Sequence, residues 1–296
     1  MTMRMLQIDE KVSRIAQILA RDAGGRGLLS GPVSAPVSEL TASLAEAKRV
    51  LLLTGFPVRL PDGRTVGETD GPSGTANIAK AMEDSGAEVR VLTDAVCIRQ
   101  VKAAAEARGC RTKPVTVPGE EQEAFFDGLL ASFAPTHLIT LERPGKARDG
   151  CFYNMRGGVI DHMVTDTDSL LKQALRRGVR TISVGDGGNE LGMGALRTLI
   201  EERVPYGELI CADEAADIAL VSGVSNWWGW GIAAALSLIH GRDFLPSPET
   251  ERSMLRAVIA SGGADGCTAR AEETVDALPM EVHLEVLSGV REAAFD

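Results

Sequence analysis

The sequence predicts an α/β protein: a mostly parallel, doubly wound (Rossmann-like) sheet with helices on both faces, behind an N-terminal helical extension. Three observations carry this. Short continuous apolar runs, RVLLLT at 49–54 and HLITL at 137–141 among them, read as strands buried on both faces. They alternate with longer segments of helical period, the pattern of a parallel sheet. The unusual polar and glycine-rich sequences fall just after those runs, at the carboxyl ends of strands, where open α/β sheets bind ligands.

In chain order, Ile8, Val12, Ile15, Ile18 and Leu19 have helical spacing over 8–20, and the glycines of 24–27 stop that helix. Pro32 and Pro36 mark an extended connector, and a second helix over 39–48 leads into the first strand. Helices are expected over 76–85, 96–108, 120–133, 167–177, 195–203, 227–240 and 248–260. Strands are expected over 49–54, 88–93, 137–141, 181–184 and 216–221, with a short edge strand within 112–117. Residues 1–45 are read as the extension and 46–296 as one α/β domain, since no linker or repeat divides them.

A net charge of −10 argues against nucleic acid as a partner, because phosphate binding needs a basic surface. Small anions remain open, since local arginines decide a pocket. Cys97, Cys110, Cys151, Cys211 and Cys267 are scattered without a C-x-x-C, which points to reduced thiols and a cytoplasmic protein. No apolar run reaches about 18 residues, so no membrane span is expected. Asp9, Glu10 and Asp22 argue against a transit peptide. The three tryptophans at 227, 228 and 230 read as core or homo-oligomer contacts.

The stretch Val184–Gly194 (VGDGGNELGMG) is the densest functional signal. Its glycines allow close approach of backbone or ligand, and Asp186, Asn189 and Glu190 bring oxygen-bearing side chains to a strand end. It is not G-x-G-x-x-G and lacks the Lys and Ser/Thr of a P-loop, so neither nicotinamide nor flavin is expected. The competing reading is a turn whose acids complement a helix dipole.

Thr54 ends the first strand, and Asp70 precedes Ser73-Gly74-Thr75, which opens a helix. That turn suits either an anion seat or simple capping. After the 137–141 strand come Glu142 and Arg143, either a proton donor with an anion reader or a surface ion pair. Tyr153, Asn154 and Arg156 suggest a substrate loop, with Arg156 a bidentate reader of carboxylate, against an ordinary turn. Asn226 is the polar residue beside the tryptophans, and Asp265 reads as a cap more than a site residue. The four histidines lack metal-ligand spacing, so zinc is not expected, whereas Asp186 and Glu190 could hold Mg²⁺ or Ca²⁺.

Taken together, Thr54-Gly55-Phe56, the Glu68–Gly74 stretch, Glu142-Arg143-Pro144-Gly145, Tyr153–Gly157 and Gly185–Gly194 resemble the C-terminal domain family of D-glutamate cyclase. Many bacterial members are domains of unknown function. The resemblance covers nearly the whole chain, Gly25-Arg26-Gly27 included. It implies a carbon–oxygen lyase that converts D-glutamate to 5-oxo-D-proline with loss of water. The animal enzyme has a further N-terminal domain resembling a hydro-lyase, which implies a separate hydro-lyase partner here.

That chemistry asks for a cationic or N–H-rich seat for the α-carboxylate: Arg156, Arg143 or the Ser73–Thr75 turn. It also asks for carboxyls with separated pKa values to move protons, and Glu142, Asp186 and Glu190, then Asp70, are the candidates. Thr54, Tyr153, Asn154, Asn189 and Asn226 would complete the lining. Two other classes stay open: a metal-dependent phosphate- or nucleotide-handling enzyme, and a non-catalytic module that binds an amino acid or dicarboxylate.

Overall fold

The computed structural model describes residues 3–296. Six strands form one sheet: Arg49–Thr54, Glu88–Thr93, Val115–Thr116, His137–Leu141, Arg180–Gly185 and Ile218–Val221. Every neighbouring pair is parallel. Counting these strands along the chain, their order across the sheet is 3-2-1-4-5-6, the doubly wound order. The order reverses between Arg49–Thr54 and His137–Leu141, so a crevice opens where Thr54 and Leu141 end, with Leu141 in register with Val184.

Apolar cores lie on both faces of the sheet, and the strand period sorts side chains between them. Val50, Leu52, Ile139, Leu141, Ile182 and Val184 join the core that contains all three tryptophans. Leu51, Leu53 and Leu138 face Phe126, Leu130, Phe133, Leu170 and Leu171. The helix Met3–Leu19 belongs to the first core, burying Val12, Ile15 and Leu19. It packs on Asn226–His240 and on Met280–Phe295, a C-terminal helix that the sequence reading left unassigned although Met280, His283, Leu287, Val290 and Ala294 are buried at helical spacing.

The tryptophans are core residues, and each indole finds an acceptor: His283 Nδ1 for Trp227, the Val221 carbonyl for Trp228 and Glu251 Oε1 for Trp230, at 2.9, 2.9 and 2.6 Å. The helices Pro72–Ser85 and Asn226–His240 cross through glycine: a Cβ on Gly229 would lie 2.5 Å from Gly74 Cα. All five cysteines are free thiols. Among the described residues no helix is long and apolar enough to cross a membrane.

Glu251 offers a test of this core. Its carboxyl accepts from Trp230 and, at 2.6 Å, from Asn77, yet burial pushes its pKa up to about 7. The folded value lies above the unfolded one. The contribution to stability is therefore complete at pH below the ordinary value of 4.5 and is lost as pH rises through about 7. We expect Glu251→Gln, which keeps the shape without the charge, to flatten the fall in stability between pH 5 and 8 by roughly 3 kcal/mol. Denaturant melts at both pH values check this; parallel losses in the two proteins would exclude Glu251 as the cause.

Candidate active site

Local backbone brings five buried carboxyls and one guanidinium to the crevice. Glu142 follows its strand directly, with φ at +45°, a left-handed conformation that is costly for a side-chain-bearing residue and typical of functional sites. Its own amide donates to Val184 O at 3.2 Å and its carbonyl accepts from Gly55 at 3.1 Å, so both neighbouring strands hold it. Asp276 is likewise left-handed, with φ at +55°. Asp265 organises that loop, accepting from Cys267, Thr268, Thr274 and Ala277.

Asp70 and Asn226 cap one another's helices. Asp70 accepts from the amides of Ser225 and Asn226 at 3.0 and 2.8 Å, at the start of Asn226–His240. Asn226 Oδ1 accepts from Gly71 and Gly74 at 3.0 and 2.6 Å, at the start of Pro72–Ser85. Asp186 accepts from Ser225 N at 3.2 Å and pairs with Arg26 Nη1, while Arg26 Nη2 pairs with Asp276. Arg26 comes from the glycine loop after the first helix, where a Cβ on Gly27 (φ +93°) would strike Arg203 O at 2.6 Å.

One oxygen from each of Asp70, Glu142 and Asp186 lies within 4.8 Å of the other two. Burial pushes all three carboxyls up: Asp70 to about 7, Glu142 and Asp186 well above the carboxylate range. Neighbouring negative charge adds to this, from Asp276 on Asp70 and from Glu190 on Glu142, while Arg26 opposes it. Glu68 is raised in the same way, by burial and then by Glu142. Glu142, Glu68, Asp276 and Arg26 border a cavity of about 390 Å³, within the usual range for small-ligand sites. Its lining also carries the exposed Arg156 and Arg59, the half-buried Asn154 and the buried Asn189, and Phe56, Met155 and Ile160 supply apolar surface.

Several sequence expectations are corrected. Glu190 is not in a helix; a 3₁₀ turn, Gly194–Leu196, and a helix, Arg197–Arg203, begin after it. Its fully buried carboxylate accepts from the amides of Asp186, Gly187 and Gly188 at 2.9, 2.7 and 2.6 Å, clasping its own loop outside the lining of this cavity. Asp186 therefore meets Asp70 and Glu142, rather than Glu190, as its fellow oxygen donors.

Arg143 is fully buried and bonds Asp94 at 2.8 Å, Gly55 O and Thr167 at 3.1 Å, and Thr165 O; its donors tie loops together. The Ser73-Gly74-Thr75 turn is closed by Asn226 and buried, so it offers no open anion seat. Tyr153 buries its ring and donates its hydroxyl to Asp149. Thr54 lies behind the cavity, buried beside Glu142.

Glu142, Asn154, Arg156 and Asn189 do border the cavity, with Arg156 exposed and donating to Cys267 O at 3.1 Å. Asn154 mainly closes its own turn, accepting from Arg156 N and Gly158 N. Reading the residues missed Arg26, Glu68 and Asp276 as site members. Glycines on both sides of Arg26 were a usable signal, whereas Asp276 carries none.

Comparison with known proteins now decides the family. The description "D-glutamate cyclase-like, C-terminal" matches residues 15–291. The chain belongs to the D-glutamate cyclase-like C-terminal family. It is 31% identical over 293 residues to human mitochondrial D-glutamate cyclase, a span of 95% of this chain and 46% of that protein. The chain thus matches about half the length of that relative. Among solved structures, an exopolyphosphatase-related protein from Bacteroides fragilis aligns at 10% identity over 88% of this chain and 56% of its own, with a TM-score of 0.38. A 3-deoxy-D-manno-octulosonate 8-phosphate phosphatase from Moraxella catarrhalis aligns at 13% identity over 67% and 91%, with a TM-score of 0.34. In this cyclase-like chain, Glu142, Asp186 and Glu190 all fall within the matched residues, as do Arg26, Glu68, Asp70 and Asp276.

Proposed function

We propose that the cavity binds D-glutamate and closes it to 5-oxo-D-proline. The observation that carries this reading is the pairing of a cationic outer wall with an acid-rich floor, in a chain of the cyclase-like family. Arg156, assisted by Arg59, reads the α-carboxylate through charge-assisted hydrogen bonds. The γ-carboxyl then reaches toward Glu142 and Arg26, which border the cavity, with the Asp70–Asp186 pair behind them. Confinement brings the amine against the γ-carboxyl carbon, a proximity effect.

The step balances within the substrate. A bond forms between nitrogen and the γ-carboxyl carbon (Cδ), and one of that carbon's bonds to oxygen breaks. Of the ammonium's three hydrogens one stays on the amide, and two leave with the γ-oxygen as water. Glu68, buried, bordering the cavity and with its pKa raised well above the carboxylate range, takes protons from the amine and returns them to the leaving oxygen. The separate hydro-lyase partner that the sequence resemblance implies would act on a separate surface or step.

The test is direct: incubate the purified chain with D- and L-glutamate and follow 5-oxoproline by chiral chromatography. We expect turnover of the D form. Arg156→Met should raise KM about 10- to 100-fold with kcat little changed, since a bond to the unreacting carboxylate binds ground and transition states alike. Saturable binding of D-glutamate with no 5-oxoproline would end the cyclase reading and leave a binding module. The phosphate-handling alternative finds no support in the helix N-terminus that suggested it, which Asn226 fills.

A further inference from the structure

We propose that Asp70, Glu142 and Asp186 together hold one hard divalent cation, and that this cation polarises the γ-carboxyl. The catalytic part rests on the cyclase reading; the binding part does not. Three strand-end and loop segments converge to bring the oxygens within 4.8 Å of one another. Ligands on opposite sides of a cation stand apart by twice the metal–oxygen length, about 4.6–5.2 Å for Ca²⁺ and about 4.0–4.2 Å for Mg²⁺. Separations of no more than 4.8 Å fall within the span open to the ligands of one such ion.

An independent observation points to the same spot. Glu142 Oε2 and the Thr54 hydroxyl have no hydrogen-bond partner, although these residues are only 4% and 0% exposed. Thr54 Oγ1 lies beside Glu142: a Cβ on Gly71 would stand 2.9 Å from one and 3.1 Å from the Cβ of the other. Ser225 lies between the other two acids, its amide reaching Asp70 and Asp186. Buried oxygens are nearly always paired. Two unpaired ones at a carboxylate triad are what a cation and its bound water would satisfy. Asp70 and Asp186 already accept amide N–H bonds, but carboxylate oxygens keep further lone pairs for an ion.

Charge supports it as well. Glu68, Asp70, Glu142, Asp186 and Asp276 crowd one region, while Arg26 pairs only with Asp186 and Asp276. A glutamate would bring two further carboxylates. A divalent ion reverses the local sign and so lets the γ-carboxyl approach. An all-oxygen donor set suits Mg²⁺, Mn²⁺ or Ca²⁺ better than zinc.

The experiment uses the full chain stripped with EDTA and dialysed. Mn²⁺ is titrated in and free Mn²⁺ read by electron paramagnetic resonance, with Mg²⁺ and Ca²⁺ as competitors. We expect one saturable site, a rise in Tm with the cation, and at least tenfold weaker binding in Glu142→Gln. Asp186→Asn serves as a second variant if the first does not fold. No saturable binding into the millimolar range, or equal binding in a folded variant, would overturn the proposal. D-Glutamate turnover is measured on the same samples. Full activity in EDTA would remove the cation's catalytic role and leave the cyclase reading standing; tight Mn²⁺ binding without turnover would keep the cation site and end the cyclase reading.

Discussion

Glu142→Gln should lower D-glutamate turnover by about two to four orders of magnitude, the usual worth of a positioned acid–base or electrostatic group. Glutamine preserves the volume at a residue only 4% exposed and removes the charge. The fold should not suffer. Burial disfavours the Glu142 carboxylate, and the like charges of Glu190 and Asp70 disfavour it further. Neutralising such a group is neutral or stabilising, so Tm should stay level or rise. The measurements are kcat and Tm on both proteins at pH 8, where substrate carboxylates are ionised. Unchanged turnover would exclude Glu142 from the chemistry. A large fall in Tm would reassign its left-handed backbone to a structural role.

Arg143→Met should instead cost about 3–5 kcal/mol of stability, because breaking one side of a buried pair leaves the other charge uncompensated. Asp94, 1% exposed, would lose its guanidinium, and the carbonyls of Gly55 and Thr165 would lose their donor. Against a total stability of about 5–15 kcal/mol this is severe, a drop in Tm of roughly 10 °C. The double variant Arg143→Met/Asp94→Leu should recover part of the loss, since it removes the stranded charge as well. The sequence reading made Arg143 a candidate reader of the substrate carboxylate. On that reading the single variant would raise KM and leave Tm alone, and such a result would restore it.

The two arginines show how far a linear reading reaches. Arg143 follows a buried strand and adjoins Glu142, so neighbouring letters suggested one site. The chain turns sharply between them, because Glu142 is left-handed just after the strand ends. Glu142 borders the cavity, while Arg143 turns into the protein to tie Gly55, Thr165 and Thr167 together. Arg26, more than a hundred residues upstream in sequence, supplies the cation for Asp186 and Asp276.

By itself the sequence determined what local forces govern. Short apolar runs made Arg49–Thr54 and His137–Leu141 legible to the residue, and the alternation of EVRVLT did the same for Glu88–Thr93, whose Glu88 and Arg90 are exposed. The doubly wound class followed from their alternation with helices, and Asp70, Glu142 and Asp186 followed from polar residues standing at strand ends. Only the tertiary structure decided what each acid faces. Glu190 and Asp186 sit four positions apart in one glycine-rich loop. The loop's amides take up the carboxylate of Glu190, which leaves Asp186 to the cluster. The anion seat foreseen at Ser73–Thr75 is closed by Asn226, a residue about 150 positions away brought there by a glycine-to-glycine helix crossing. A carboxylate's role depends on which donors and charges surround it. Those neighbours come from distant segments, so spacing along the chain does not encode them.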